Sequence, residues 1–372
     1  MVLKRYLNTQ ILDGLDEGLV VILYGARQTG KTTLARQIMD SEPGSLYLNC
    51  DEPDVRLRLT NKSSTELRAL FGSAKLVVID EAQRVENIGL TAKLVHDTFP
   101  EVKLLLTGSS SIDLANTIKE PLTGRSRELT LYPLAASEVA NDILEAERLL
   151  EKSLVIGAYP QAWQMGQEAA EAYLRNLVNN YLYRDAFAAK TIYDTTVIDR
   201  LLRLLAFQVG NEVSYSEIAG KLEVAKETVM RYIDLLEKAF IIFRLGQYRK
   251  NQRTEVGRLR KVYFYDLGVR NGLIDNFAPL EHRDDTGSLW ENYCVVERKK
   301  YLQKNKTYAR HYFWRSYTRQ EVDLVEEIGP NTQAFEFKYK EGRTKTPPAF
   351  STSYPDVQLR FVSKTTVGGF LF

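Results

Sequence analysis

Hydrophobic and polar positions along the first third of the chain form short apolar runs separated by helical stretches. Leu19-Val-Val-Ile-Leu-Tyr24 is the strongest run, and residues 45–49, 75–79 and 102–107 repeat it in shorter form. Runs apolar on both faces, alternating with helices, predict buried parallel strands covered by helices. From Ala135 to about Lys190 the period becomes helical, with Tyr173, Leu174, Leu177, Val178 and Tyr181 at three-four spacing and a break at Gly157-Ala-Tyr-Pro160. Residues 213–222 and 226–239 then predict a helix-turn-helix in which Ile218 and Leu222 face Val229, Ile233 and Leu236. Strands at 240–245 and 261–265 follow it. A helix at 287–300, a strand at 307–314 and a hairpin of 321–326 with 333–340 complete the pattern.

Chemistry enters after the first run. Gly25-Ala-Arg-Gln-Thr-Gly-Lys-Thr32 fits G-x-x-x-x-G-K-[ST] between a strand and a helix, the context that a phosphate-binding P-loop requires. Gly25 and Gly30 permit the turns that aim backbone N–H groups at phosphates. Gly25, Ala26, Arg27, Gln28, Thr29, Gly30, Lys31, Thr32 and Thr33 are therefore the expected nucleotide-binding residues. Lys31 supplies a cation for the β- and γ-phosphates, the helix adds its dipole, and the Thr32 hydroxyl is placed to ligate Mg²⁺. ATP and Mg²⁺ are the expected cofactors. The run ending in Asp80-Glu81 puts carboxylates at a strand's C-terminal edge, with Asp80 expected in the Mg²⁺ shell and Glu81 orienting the attacking water. At the end of the next strand, Ser109 is the first choice for sensing the γ-phosphate and Thr107 the second. The loop after Leu122 carries Arg125 and Arg127, either of which suits a cation supplied to another subunit's phosphoryl group.

Composition narrows the classes. At 372 residues two or three domains are expected, and a net charge of +2 excludes a bulk polycation, so any nucleic-acid surface is local. The two cysteines, Cys50 and Cys294, are too far apart in sequence for metal-ligand spacing and point to reduced thiols in the cytoplasm; three histidines disfavour a His-rich metal site. Neither a signal-peptide core nor a run of transmembrane length is present, so no membrane is expected.

The motifs Gly-Ala-Arg-Gln-Thr-Gly-Lys-Thr-Thr, Val-Val-Ile-Asp-Glu-Ala-Gln, Leu-Leu-Thr-Gly-Ser-Ser and Leu-Thr-Gly-Arg before Tyr-Pro-Leu resemble the AAA+ class of ring-forming ATPases. The resemblance is to the prokaryotic branch that joins the ATPase to a winged helix and a nuclease-like domain. It implies Ser109 as sensor, Arg125 as arginine finger and a small helical lid over the nucleotide.

Between the strands after the helix-turn-helix lies a loop rich in cations. Arg249, Lys250, Arg253, Arg258, Arg260 and Lys261, with Lys226, Thr228 and Arg231 on the second helix, are the expected DNA contacts. Few of them suit base reading, so structure-selective or nonspecific binding is expected. Farther on, a helix glutamate, a strand aspartate and Glu-x-Lys on the adjacent strand resemble the PD-(D/E)XK nuclease superfamily. That resemblance implies Mg²⁺ held by Asp323 and Glu336, with Glu291 assisting and Lys338 as the catalytic lysine.

The expected fold class is α/β: a P-loop AAA+ parallel-sheet core (1–134), a helical lid (135–196), a winged helix (197–265) and a small nuclease-like α/β domain (266–372). The expected function is a Mg²⁺-dependent ATP hydrolase remodelling or translocating duplex or branched DNA as a homo-oligomer, with a hexameric ring among its forms. Its rivals are an ATP-regulated signalling switch with an inactive nuclease-like platform, and an ATP-regulated metal-dependent endonuclease.

Overall fold

A computed structural model of the chain describes residues 3–109, 121–180, 195–249, 260–342 and 345–371. The chain is α/β and divides into two compact units, one built chiefly from residues 1–132, the other chiefly from 133–181, 192–237 and 241–372.

The first unit holds five strands, β1 (Val20–Tyr24), β2 (Ser45–Asn49), β3 (Leu76–Asp80), β4 (Lys103–Gly108) and β5 (Ser126–Thr130). All neighbours are parallel, in the order β2-β3-β4-β1-β5. Helices α1 (Leu7–Asp16), α2 (Lys31–Ser41), α3 (Pro53–Leu59), α4 (Ser64–Phe71) and α5 (Ile88–Thr98) accompany them. Because side chains alternate across a strand, two separate cores form. Val20, Ile22, Val77, Ile79, Leu104 and Leu106 pack with Leu67 and Phe71 of α4 and Ile88 and Val95 of α5. Val21, Leu23, Val78 and Leu105 pack on the opposite face with Leu7 and Ile11 of α1 and Leu34 and Ile38 of α2. Each such fully buried aliphatic stabilises the fold by about 1.5–3 kcal/mol before entropy is counted. The consequence for function is positional: β1, β3 and β4 all end at one edge of the sheet.

The second unit contains α6 (Ala136–Val139), α7 (Ile143–Val155), α8 (Pro160–Trp163), α9 (Gln167–Asn180), α10 (Thr195–Phe207), α11 (Tyr215–Leu222) and α12 (Lys226–Lys238). These are followed by α13 (Leu267–Leu273), α14 (Thr286–Lys304), α15 (Pro348–Ser353) and α16 (Gly368–Leu371). Its strands β6 (Glu212–Val213), β7 (Ile242–Gln247), β8 (Arg260–Phe264), β9 (Arg310–Arg315), β10 (Glu321–Ile328), β11 (Asn331–Phe337) and β12 (Leu359–Val362) form one sheet in the order β12-β11-β10-β9-β7-β8-β6.

Two features differ from the four-part division read in the sequence. The strands on either side of 265/266 share that sheet, joined where β7 runs parallel to β9 with Gly246 opposite Tyr312 and Gln247 opposite Phe313. The helices at 136–180 fall in the second unit, where buried Asn271 of α13 donates to the carbonyls of Leu154 and Val155 at 2.9 and 2.8 Å. Gly268 makes that approach possible, since a Cβ there would lie 2.0 Å from the Ile156 carbonyl oxygen. Among the described residues no helix is long and apolar enough to cross a membrane.

Candidate active site

β1 delivers the chain to Gly25, where a Cβ would sit 2.4 Å from the Leu131 carbonyl oxygen. Only glycine fits there. The loop then passes Gln28 at φ 61° and Gly30 at φ 97° before α2 begins at Lys31. Gly30 gives α2 no side-chain cap, and the amino end of a helix opening out of such a loop is the end that suits an anion. Buried Thr29 donates through Oγ1 to the Ala26 carbonyl at 2.9 Å, and Lys31 Nζ donates to the Gly25 and Ala26 carbonyls, each at 2.9 Å. Ala26 is buried, Arg27 half-buried, and Gln28 and Thr33 are exposed.

Sequence reasoning missed Arg5. Its guanidinium, 8 % exposed, donates to the carbonyls of Thr29, at 2.7 Å, and Tyr132, so the start of the chain clamps the loop from outside.

At the end of β3 the Asp80 carboxylate collects three hydroxyls. Thr32 Oγ1 donates to Oδ2 at 2.8 Å, Tyr47 donates to the same oxygen, and Thr107 donates to Oδ1. A hydroxyl and a carboxylate meeting at the mouth of the loop form an oxygen donor set that fits a hard divalent cation, so Thr32 and Asp80 are the residues to hold one here. Tyr47 was not singled out by sequence; its phenol is pushed up by burial and by its bond to Asp80.

Glu81 follows in the left-handed region, φ 53° and ψ 43°, a conformation unusual for glutamate and met at strained functional positions. Its Oε2 accepts from Gln83 Nε2, and Ser109 Oγ lies 3.4 Å from the same oxygen and 3.2 Å from Gln83 Nε2. Gln83 Oε1 is buried with no hydrogen-bond partner among the described residues. Thr107, the second choice as sensor, instead binds Asp80 and receives the Glu81 N–H at 3.3 Å. Arg125 and Arg127 lie at the far edge of the sheet, where β5 enters beside Val20 and Val21, ion-paired to Asp97 at 2.8 Å and to Glu17 respectively.

A second cluster stands in the other unit. Glu291 on α14, Asp323 on β10 and Glu336 on β11 come together there, with Lys338 Nζ 2.7 Å from Glu336 Oε1. Lys261 departs from its expected place in the DNA-contacting loop. It is 1 % exposed, and its ammonium points into this cluster, 2.8 Å from Glu291 Oε1, in contact with Glu321 and 3.8 Å from Asp323 Oδ1. Tyr263 donates to the same Glu291 oxygen at 2.6 Å, and the Phe337 N–H donates to Asp323 Oδ2 at 2.8 Å.

Burial and the Asp323 charge push the Glu291 carboxyl up to about 7 despite the neighbouring ammonium. Asp323 and Glu336 are raised too, chiefly by burial. Burial opposes the Lys261 charge, but Tyr263 and the surrounding carboxylates outweigh it and hold the lysine protonated. Among the described residues, these three carboxylates included, no three carboxylate, imidazole or thiolate groups stand in an arrangement that could hold a metal ion. As arranged, with Lys261 the cation of the cluster, these residues do not fit the Mg²⁺ that the nuclease resemblance implies.

Of the other expected DNA contacts, Lys226 and Arg231 are exposed on α12, and Thr228, Arg249 and Arg260 are half-buried. Lys250, Arg253 and Arg258 lie outside the described residues.

Comparison with known proteins bears on the first unit most directly. Residues 17–140 match the model of an AAA domain, and residues 147–280 and 286–368 match two domains of unknown function. An uncharacterized protein of Mycobacterium tuberculosis is 29 % identical over 92 % of this chain and 75 % of its own length. One of Methanocaldococcus jannaschii is 26 % identical over 80 % of this chain and 71 % of its own. The solved structure of the Walker-type ATPase of Pyrococcus abyssi superposes with a TM-score of 0.52 at 16 % identity, covering 73 % of this chain and 96 % of that one, a likeness of fold. The amino-terminal third thus has an α/β fold that matches a P-loop ATPase domain and is similar in sequence to an AAA domain, and a further α/β unit follows it.

Proposed function

We propose that the chain is a Mg²⁺-dependent ATP hydrolase that works on duplex or branched DNA as a homo-oligomer in the cytoplasm. One observation carries the hydrolase reading: P-loop Thr32 meets Asp80 at 2.8 Å, beside the group formed by Glu81, Gln83 and Ser109. The N–H groups of the loop and of α2 grip the triphosphate, and Lys31 exchanges its carbonyl partners for phosphate oxygens. Thr32 and Asp80 hold Mg²⁺, which when bound neutralises charge on the β- and γ-phosphates. Glu81 draws the proton side of the attacking water toward its carboxylate, with Gln83 fixing Oε2 so that the other oxygen is presented to the water. Ser109 reports the γ-phosphate from the neighbouring strand. A ring supplies Arg125 or Arg127 to an adjacent subunit once its surface ion pair is exchanged.

The DNA reading rests on the order of α10, β6, α11, α12, β7 and β8, with β8 between β7 and β6, which supports a winged helix. Lys226, Thr228 and Arg231 on α12, with Arg249 and Arg260 at either end of the cationic loop, suit phosphate contacts that carry no sequence information.

A second reading is a nucleotide-gated switch whose second unit docks a partner and cuts nothing. The Lys261 ammonium within the acidic cluster favours it over the endonuclease reading.

Steady-state ATPase rates with no DNA and with single-stranded, duplex and four-way DNA test these readings. Lys31→Ala and Glu81→Gln are each expected to lower turnover by about 100-fold or more, comparable to removing a transition-state electrostatic contact. Duplex DNA is expected to stimulate the native chain. No native turnover sinks the hydrolase reading; turnover indifferent to every DNA leaves the switch.

A further inference from the structure

We infer that a cleft beside the acidic cluster of the second unit binds an unpaired segment of nucleic acid. The inference rests on the reading that this unit engages DNA, and it adds a site outside the helix-turn-helix. The cleft, about 370 Å³, is lined by Gln247, Arg249, Arg315, Ser316, Tyr317 and Arg319, and by one acid, Glu212, which Arg315 neutralises at 2.8 Å.

The parallel pairing of β7 with β9 creates it. Gln247 lies opposite Phe313, so the residues that follow each strand emerge side by side. Gln247 then ties the two together: its Nε2 donates to the Arg315 carbonyl at 2.7 Å, while its Oε1 accepts from Arg249 Nε and Nη2 at 3.2 and 2.8 Å. Arg249 is thus held in place by a neutral group and keeps its charge uncompensated by that contact. Arg315 is anchored on one side, 2.8 Å from Glu212 and 3.7 Å from Glu321, which itself contacts Lys261. Any strand held here runs past the carboxylates of the cluster.

The turn from β9 to β10 supplies the remaining chemistry. It is closed by backbone bonds from Ser316 N–H to the Gln320 carbonyl at 2.8 Å and from Arg319 N–H to the Ser316 carbonyl at 3.1 Å. Arg319 sits at φ 63°, exposed, with no ion pair among the described residues. Tyr317 is 98 % exposed, so both faces of its ring are open.

The guanidinium groups of Arg249 and Arg319 match phosphodiester oxygens, while Arg315 stays paired with Glu212, and the open ring of Tyr317, two residues before Arg319, matches a base. In a duplex the base faces are already stacked on one another. The ring therefore selects an unpaired nucleotide, at a strand end, a fork or a junction, over continuous duplex. An acidic peptide satisfies the arginines but leaves the ring without a partner.

Fluorescence anisotropy of labelled oligothymidylate and of a labelled blunt duplex, titrated with the full chain, tests this. Tyr317→Ala and Arg319→Glu lie on an exposed turn, and their melting curves check that they fold. Tyr317→Ala is expected to weaken oligothymidylate binding about tenfold, in line with the loss of one stacked base, with duplex binding changed less than about twofold. Arg319→Glu is expected to reduce the salt dependence of single-strand binding by about one ion. If the native chain binds oligothymidylate and both variants bind it equally well, this site is wrong while DNA binding stands. If the native chain binds no nucleic acid, the underlying reading falls and takes the site with it. Equal competition by free thymidine monophosphate makes the cleft a nucleotide pocket, and equal competition by polyglutamate makes it an acidic-protein surface; either overturns the proposal.

Discussion

Arg5 stands 24 residues before the Thr29 carbonyl it holds and 127 before that of Tyr132, so no local pattern announces it. Arg5→Ala leaves both carbonyls without that donor, at a cost of about 1–3 kcal/mol that falls on the loop. ATP affinity by calorimetry is expected to drop about tenfold or more; unchanged affinity would show the clamp to be idle.

Glu291 gives a pH signature. Its folded carboxyl is raised to about 7 while an unfolded one titrates near its ordinary value, so the folded chain binds the extra proton between those limits. Stability from this group is complete at low pH and falls as pH rises toward about 7. The loss amounts to about 3 kcal/mol. Melting temperature measured from pH 5 to 8 should show that decline, and Glu291→Gln should flatten it. A native profile that rises over the same interval refutes the assignment.

A candidate loop was legible in the sequence where its residues are contiguous, as from Gly25 to Thr33, and groups that the fold brings together from distant positions were not. Lys261 illustrates the limit. Beside Arg258 and Arg260 it reads as one more surface cation, but alternation along β8 puts it on the same face as Tyr263, and both reach Glu291. The spacing of Lys261 and Tyr263 was the available signal.

At the scale of elements, α13 is a tightly packed joint of the second unit, buried along all seven residues. Asp266 caps it, accepting from the Val269 N–H at 3.0 Å and from the Ala158 N–H at 2.7 Å. Gly157, at φ 74°, and Gly268 meet across the same contact, and a Cβ on Gly157 would lie 2.3 Å from Asp266 Oδ1. Backbone cannot yield as a flexible side chain can. Gly268→Ala is therefore expected to destabilise the second unit by about 3 kcal/mol or more, read as a lower urea midpoint. A shift within error would mean that the loop at 156–158 repacks freely. Periodicity gave β1, β3 and β4 closely, because buried parallel strands are apolar along nearly their whole length. It did not give the pairing of β7 with β9, since a seam between strands far apart in sequence leaves no periodic trace.

For the molecule as a whole, two compact units imply two unfolding steps with different ligand responses. ATP with Mg²⁺ at about a thousandfold over its dissociation constant should stabilise the step of the first unit by about 4 kcal/mol, with Lys31→Ala abolishing the effect. Differential scanning calorimetry reads both steps; a nucleotide that raises neither counts against the loop as its site. The division of the units after Tyr132 falls where strand-loop-helix chemistry gives way to a helical period. The boundary at 265/266 followed a change of motif, and motifs do not record which strands share hydrogen bonds.

That shared sheet constrains how the protein can be dissected. A fragment ending at Tyr265 keeps the helix-turn-helix but strips β7 of β9, baring backbone groups at Gly246–Tyr248 that invite intermolecular pairing and precipitation. A piece bearing those helices with its sheet intact has to run past β12 to α16, whose Phe370 packs on Phe335 and Phe337 and accepts from Arg298 through its carbonyl.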